Sequence, residues 1–232
     1  MKKPVSLFTN KIEPSALDQF YSAMKQEFSV KGALMPDAHT GYTLPIGGVI
    51  ATKDFILPSW VGYDIGCGLC ALPTNFSAGD IRKNADSIYR QIYLNIPTGF
   101  NNNKRDSDWE YRSFPCSETV TRLFEKNGLK QLGSLGSGNH FIEIGEDETN
   151  KVWIIIHSGS RNLGHSVATH YMKLASKDGK AREGHFGFRT DSDKGEDYIN
   201  DMSFCLAFAL ENRRQMINRI LDILHSELPH SK

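Results

Sequence analysis

The sequence predicts an α+β protein: a central β-sheet core flanked by helices, with a metal site where strand ends meet. Three stretches carry that expectation. Val61-Gly62-Tyr63-Asp64-Ile65-Gly66-Cys67-Gly68 packs a carboxylate, a thiol and glycines into one short loop. A glycine-rich run over 132–138 leads into an alternating strand that starts near His140. An apolar run over 152–156 ends in His157 and the loop Ser158-Gly159-Ser160-Arg161.

Taken in order, residues 5–8 suit a short strand. Over 14–28, Leu17, Phe20, Tyr21, Met24 and Phe28 recur at helical spacing behind Glu13-Pro14, which predicts a helix. Met35-Pro36-Asp37-Ala38-His39-Thr40-Gly41-Tyr42 reads as turn-rich, and His39 suits a self-bonded turn as well as it suits a site. Residues 44–51 predict a strand in which Gly47 and Gly48 mark a bulge or a close backbone approach. The octet 61–68 begins as a strand-like lead-in. Ile81, Ile88, Ile92 and Leu94 predict a helix over 81–96, a polar loop follows over 101–108, and a short helix is expected over 119–126.

In the strand after Asn139, His140, Ile142 and Ile144 point one way while Phe141 and Glu143 point the other. The continuous apolar run before His157 predicts a strand buried on both faces. A helix over 166–174 and a long polar loop over 176–197 come next; loops of that length are usually functional or disordered. Met202, Leu206, Leu210, Ile217, Ile220 and Leu224 then mark an amphipathic helix over 198–225, read as core-facing with no chemical role. No repeat or Pro/Ser-rich linker interrupts the chain, so a single domain over 1–232 is the expected count.

Composition narrows the function. Basic and acidic residues balance at 27 each, which argues against a broad basic face gripping nucleic acid, while a local phosphate pocket remains compatible. Four scattered cysteines fit a reduced, cytoplasmic protein better than a disulfide scaffold. The opening residues lead into no long apolar run, so neither a signal peptide nor a membrane span is expected.

Asp64, Cys67, His140 and His157 form a mixed oxygen, sulfur and nitrogen ligand set. Ligand type alone favours zinc or iron, since thiolate is soft and manganese prefers oxygen. His165, His170 and His185 sit in helix-surface or loop settings and are expected to be non-ligands. Cys67-Gly68-Leu69-Cys70 is formally a C-x-x-C, but it lacks both the second pair of a zinc knuckle and the strand-to-helix setting of a redox pair. The run 132–138 exposes backbone amides to an anion without matching a phosphate-loop pattern.

Four segments, in order, resemble motifs of the RtcB-type RNA-splicing ligases: Met35-Pro36-Asp37-Ala38-His39-Thr40-Gly41, the octet 61–68, Gly138-Asn139-His140-Phe141-Ile142-Glu143, and the stretch from His157 to His165. The resemblance spans about residues 33–225. It implies an RtcB-like fold and a ligase dependent on GTP and two Mn2+ ions. Such an enzyme joins RNA ending in a 2′,3′-cyclic phosphate or 3′-phosphate to RNA beginning with a 5′-hydroxyl, as in RNA repair and tRNA splicing. By the same resemblance Cys67 would bridge the two Mn2+ ions, with Asp64, His140 and His157 as further ligands. Asn139, His140, Phe141, Ile142 and Glu143 form the implied nucleotide-binding segment, with Asn139 on the GTP phosphates and Phe141 and Glu143 against the guanine. Arg161 would meet an RNA phosphate. Asp37 and His39 match family positions without an assigned role. An activating protein is compatible with this reading, and no oligomeric state follows from it.

Family members are expected to continue beyond the helix that ends here near His225. Their later part carries a further metal-binding His beside an Asn, a Lys-Gly-Ala stretch, and a His-Gly-Ala-Gly-Arg motif whose His takes the guanylyl group. None of these is present, and His225 and His230 lack the flanking residues, so no catalytic residue is recognisable and a chain truncated at the carboxy end is expected. Two other readings stay open: a non-catalytic metal- and nucleotide- or RNA-binding remnant, and a metal-dependent phosphohydrolase.

Overall fold

The computed structural model describes residues 3–228, so His230 lies outside the described residues. The elements run β1 (Val5–Leu7), α1 (Pro14–Met24), β2 (Ser29–His39), β3 (Ile46–Thr52), β4 (Phe55–Ile56), α2 (Pro58–Val61), β5 (Gly68–Pro73), α3 (Ala78–Lys83) and α4 (Ala85–Asn95). After a 3-10 turn at Tyr111–Ser113 come α5 (Glu118–Gln131), β6 (Phe141–Glu146), β7 (Val152–Ser158), α6 (Arg161–Ala175), β8 (Phe188–Arg189) and α7 (Asp193–Glu227). The class is α+β, and among the described residues the strands divide into three small sheets ordered β1-β2-β3, β4-β8 and β5-β7-β6. Two compact units result: Met1–Tyr63 with Ser166–Asn200, and Asp64–His165 with Asp201–Lys232.

In the first unit, α1 lays Phe20 and Met24 on Leu34 and Ala38 of β2. The helix stops at Met24, short of Phe28, because Ser29 Oγ donates to the Ala23 carbonyl (2.8 Å) and the chain turns into β2. Phe28 leaves the helix and stacks on Phe55 at 4.6 Å. The expected turn at 35–42 is instead largely strand, since β2 continues to His39. Pro36, which has no N–H to give, falls where the β2–β3 register is irregular, between Leu34 and His39. Gly47 adopts φ +76°, and a Cβ there would lie 3.2 Å from the Ala38 Cα, the close approach its glycine suggested. The polar stretch after α6 is ordered too, holding β8 and the first turns of α7. Within it, Trp60 Nε1 donates to His185 Nδ1 (3.2 Å), so His185 Nε2–H donates to Ser22 Oγ (3.0 Å).

The second unit is built on the antiparallel β5-β7-β6 sheet, in which Leu69, His157 and Phe141 stand in register. The β6–β7 hairpin closes on Asp147, whose carboxylate accepts from Thr149 N and Oγ1, Lys151 N and Trp153 Nε1. The Thr149 hydroxyl and those other donors hold its carboxyl well below the usual range. One face of β7 (Val152, Ile154, Ile156, Ser158) is buried, while Trp153, Ile155 and His157 on the other are half-exposed. The strand is therefore sealed on one face rather than both. Ile154 and Ile156 pack with Ile88 and Ile96 around α4 and with Met216, Ile220 and Leu224 of α7.

Three further departures have local causes. Val61 ends the short helix α2 rather than leading in as strand, because Pro58 at its start favours a helical turn. Strand β5 begins only at Gly68. The helix expected over 81–96 breaks at Asn84, whose side chain donates to the Asp80 carbonyl (2.9 Å) and closes α3. Helix α5 outruns its expected bounds, capped where Ser117 Oγ accepts from Val120 N (3.3 Å).

Candidate metal centre

Three ligand-type residues meet at strand ends of the second unit. Cys67 immediately precedes β5, His140 immediately precedes β6, and His157 is the penultimate residue of β7. Cys67 Sγ lies 3.0 Å from His157 Nε2 and 3.6 Å from His140 Nε2. The three donor atoms all fall within 4.8 Å of one another. Asp64 adds an oxygen beside them, with Oδ2 2.9 Å from His140 Nε2. Its Oδ1 accepts from Ser160 N (2.9 Å) and Ser160 Oγ (3.3 Å). Thus all four ligand-type residues named from the sequence are neighbours.

The protons show what the arrangement accepts. His140 Nδ1–H donates to the Leu135 carbonyl (2.9 Å), which turns Nε2 toward the thiol and the carboxylate. Because Nδ1 already carries a hydrogen, a bare Nε2 and a carboxylate oxygen 2.9 Å apart need a positive charge, a proton or a cation, between them. Without a metal that charge is a proton: the bond to Asp64, then the one to Cys67, pushes the His140 pKa up to about 10. Burial works to raise the Asp64 carboxyl, but its bonds from His140 and Ser160 prevail and hold it below its ordinary value. His157 is pushed down, first by burial and then by the charge on His140, which favours a neutral ring with a lone pair to give. A thiol, two imidazoles and a carboxylate converging on one point, with one ring already oriented by a backbone carbonyl, fit a divalent cation in place of the His140 proton.

The implied nucleotide segment splits by face. Asn139 is exposed, following Gly138 at φ +78°, and Phe141 and Glu143 lie on the exposed face of β6. Phe141 stands edge-on to the His157 ring at 5.7 Å. Ile142 turns the other way and packs against the core. Arg161 adopts φ +59°, and its guanidinium donates to Ser134 Oγ (3.1 Å) and the Gly99 carbonyl (2.6 Å). Cys70 packs against the core beside Ile156, away from the cluster. His39 bonds within its own segment, through Nδ1 to the Asp37 carbonyl (2.8 Å), and His185 is engaged by Trp60 and Ser22.

Sequence reasoning overlooked Asn212 and Arg213. Both bond to the loops that carry the ligands, yet α7 had been given a packing role only. The available signal was an Asn one turn from Phe208 and one turn from Met216, inside an otherwise apolar stripe.

Comparison with known proteins covers the stretches of chain that carry these residues. The family model described as "tRNA-splicing ligase RtcB" matches residues 19–119 and 111–232. RNA-splicing ligase RtcB of Escherichia coli K12 is 34% identical over 250 residues, covering 96% of this chain and 61% of the relative. The tRNA-splicing ligase RtcB of Nanoarchaeum equitans is 32% identical over 235 residues, covering 78% of this chain and 49% of the relative. That of Thermococcus kodakarensis is 28% identical over 269 residues, covering 86% and 56%. The chain thus spans about half to three fifths of the length of these relatives. With a family match over nearly its whole length and the four ligand-type residues of the expected motifs gathered at one point, the chain belongs to the RtcB family.

Proposed function

We propose that this chain carries the metal- and nucleotide-binding part of an RNA ligase that joins 2′,3′-cyclic phosphate or 3′-phosphate ends to 5′-hydroxyl ends with GTP and Mn2+. The observation that carries the reading is the convergence of Cys67, His140 and His157, with Asp64 alongside, in a chain of this family. Bound there, Mn2+ would polarise phosphate oxygens and neutralise the charge that builds during nucleotidyl transfer. Residue type alone would suit zinc or iron as well; the family reading selects manganese. Cys67, His140 and His157 hold the cation, and Asp64 completes the set while Ser160 fixes its carboxylate. Asn139, Phe141 and Glu143, on the exposed side of the same strand end, take the guanine nucleotide, and Arg161 binds an RNA phosphate. All four cysteines are free, which suits a reducing, cytoplasmic setting. Among the described residues no helix is long and apolar enough to cross a membrane.

The test combines binding and turnover. Native chain and Cys67→Ala are titrated with Mn2+, then given GTP and RNA bearing a 2′,3′-cyclic phosphate and a 5′-hydroxyl, with intact mass and RNA products recorded. Mn2+ and GTP binding by the native chain, lost in Cys67→Ala, is the expected result; a guanylyl adduct and joined RNA would extend the reading to turnover by this chain itself. Full Mn2+ occupancy in Cys67→Ala overturns the site. Cyclic-phosphate opening without joining assigns a phosphohydrolase instead, and Mn2+ and GTP binding with no turnover assigns a binding role.

A further inference from the structure

We propose that Asn212 and Arg213, neighbours on α7, are positioning residues that set the spacing of Cys67, His140 and His157 for a divalent cation. The proposal rests on reading that cluster as a metal centre. The three ligands come from three separate segments, and each segment is tied to this one pair. Arg213 Nη1 donates to the Gly66 carbonyl (2.8 Å), next to Cys67, and to the Ser158 carbonyl (2.6 Å), next to His157. Asn212 is completely buried. Its Oδ1 accepts from Ser134 N (3.0 Å), and its Nδ2 donates toward the Ser134 carbonyl (3.0 Å), Ser158 Oγ (3.2 Å) and the Gly159 carbonyl (3.2 Å).

The connection to the ligands is short. Ser158 Oγ, which Asn212 contacts, donates to the Leu135 carbonyl (2.8 Å). That same carbonyl accepts from His140 Nδ1 (2.9 Å) and so fixes the orientation of the ring. Asn212 therefore spans the lead-in to His140 and the exit from His157, while Arg213 joins that exit to the Cys67 loop. The helix also presses directly beneath the loop: a Cβ on Gly66, which has φ +78°, would lie 2.8 Å from the Ala209 Cβ. Among the described residues, Arg213 Nε is buried with no hydrogen-bond partner. Outer partners of this kind orient metal ligands, and their loss typically costs about 10- to 100-fold in metal affinity.

The experiment titrates Co2+ into the native chain and follows the thiolate-to-cobalt absorption band, with Mn2+ competition giving its affinity. Asn212→Ala and Arg213→Lys are expected to weaken binding of both ions about tenfold or more and to reduce or shift the band. Phe124→Leu, in the core away from the ligands, serves as a comparator: it lowers the melting temperature but keeps native affinity and band. If Asn212→Ala and Arg213→Lys are destabilised yet bind Co2+ with native affinity and spectrum, the pair is merely structural and the inference fails. Should Asn212→Ala not fold, Ser158→Ala removes only the hydroxyl that relays it and is read in the same way. Cys67→Ala separates the two levels of the argument. If that variant keeps the band, the metal-centre reading itself is wrong; if it loses the band while the α7 variants keep it, only the positioning role is wrong.

Discussion

Gly159 shows how closely the centre is drawn at the scale of one residue. A Cβ at that position would overlap both oxygens of the Asp64 carboxylate, so Gly159→Ala must push Asp64 or the loop aside. Mn2+ affinity measured by titration is expected to fall about tenfold or more, since the carboxylate loses its place beside His140; native affinity in that variant would exclude Asp64 from the ligand set. His185 gives a prediction in the first unit. Burial pushes its pKa below 6.5, and the neutral ring accepts from Trp60 and donates to Ser22. The folded state then binds fewer protons here than the unfolded one. This contribution is present above the unfolded pKa and is lost as pH falls through about 6.5 toward the folded value. Between pH 7 and pH 5 the melting temperature of His185→Gln should therefore lose less, or gain more, than that of the native chain. Cys67, His140 and His157 were legible in the sequence because each is a ligand-type residue beside a glycine or at a strand end. Asn212 was not, because its meaning lies in partners 53 to 78 residues away.

Among the elements, α5 depends on a buried exchange at its start. Ser117 donates its N–H (2.6 Å) and its hydroxyl (2.7 Å) to Asp201, while its Oγ also accepts from Val120 N. Ser117→Ala removes the cap and leaves the fully buried Asp201 carboxylate one donor short, for a loss of about 2 kcal/mol in chemical denaturation. Ile156→Ala should cost more, about 2–5 kcal/mol, because it opens a cavity against α4 and α7. The apolar stripe of α7 and the alternation of β6 could be read in advance, since each follows a single period. Strand β2 was missed because Gly32 and Pro36 mask it as a turn, and β5 because six residues ending in Pro carry too little pattern. The break at Asn84 depends on a side chain closing the helix before it, which periodicity does not register.

For the whole molecule, the equal count of 27 basic and 27 acidic residues bears directly on how RNA would be held. Single-stranded RNA binding loses about 0.7 in log K per log salt for each phosphate neutralised. A chain without net charge should engage few phosphates, so the slope measured from 50 to 200 mM salt is expected to be shallower than about −3. A steeper slope would reveal a basic surface that the composition hides. The α+β class was readable from the mixture of periods; the division into three small sheets was not, since strand pairing is a long-range property.

The second unit is discontinuous, with its sheet and ligands in Asp64–His165 and its clamp in Asp201–Lys232. During synthesis the ligand-bearing segments therefore leave the ribosome well before α7 does. At about 5–20 residues per second, the 53 residues between Gly159 and Asn212 represent roughly 3–10 seconds. For that interval a thiol and two imidazoles exist on the nascent chain with nothing to space them. If the cluster is a metal centre spaced by α7, selective cation capture would come late in biogenesis, after translation of the long helix.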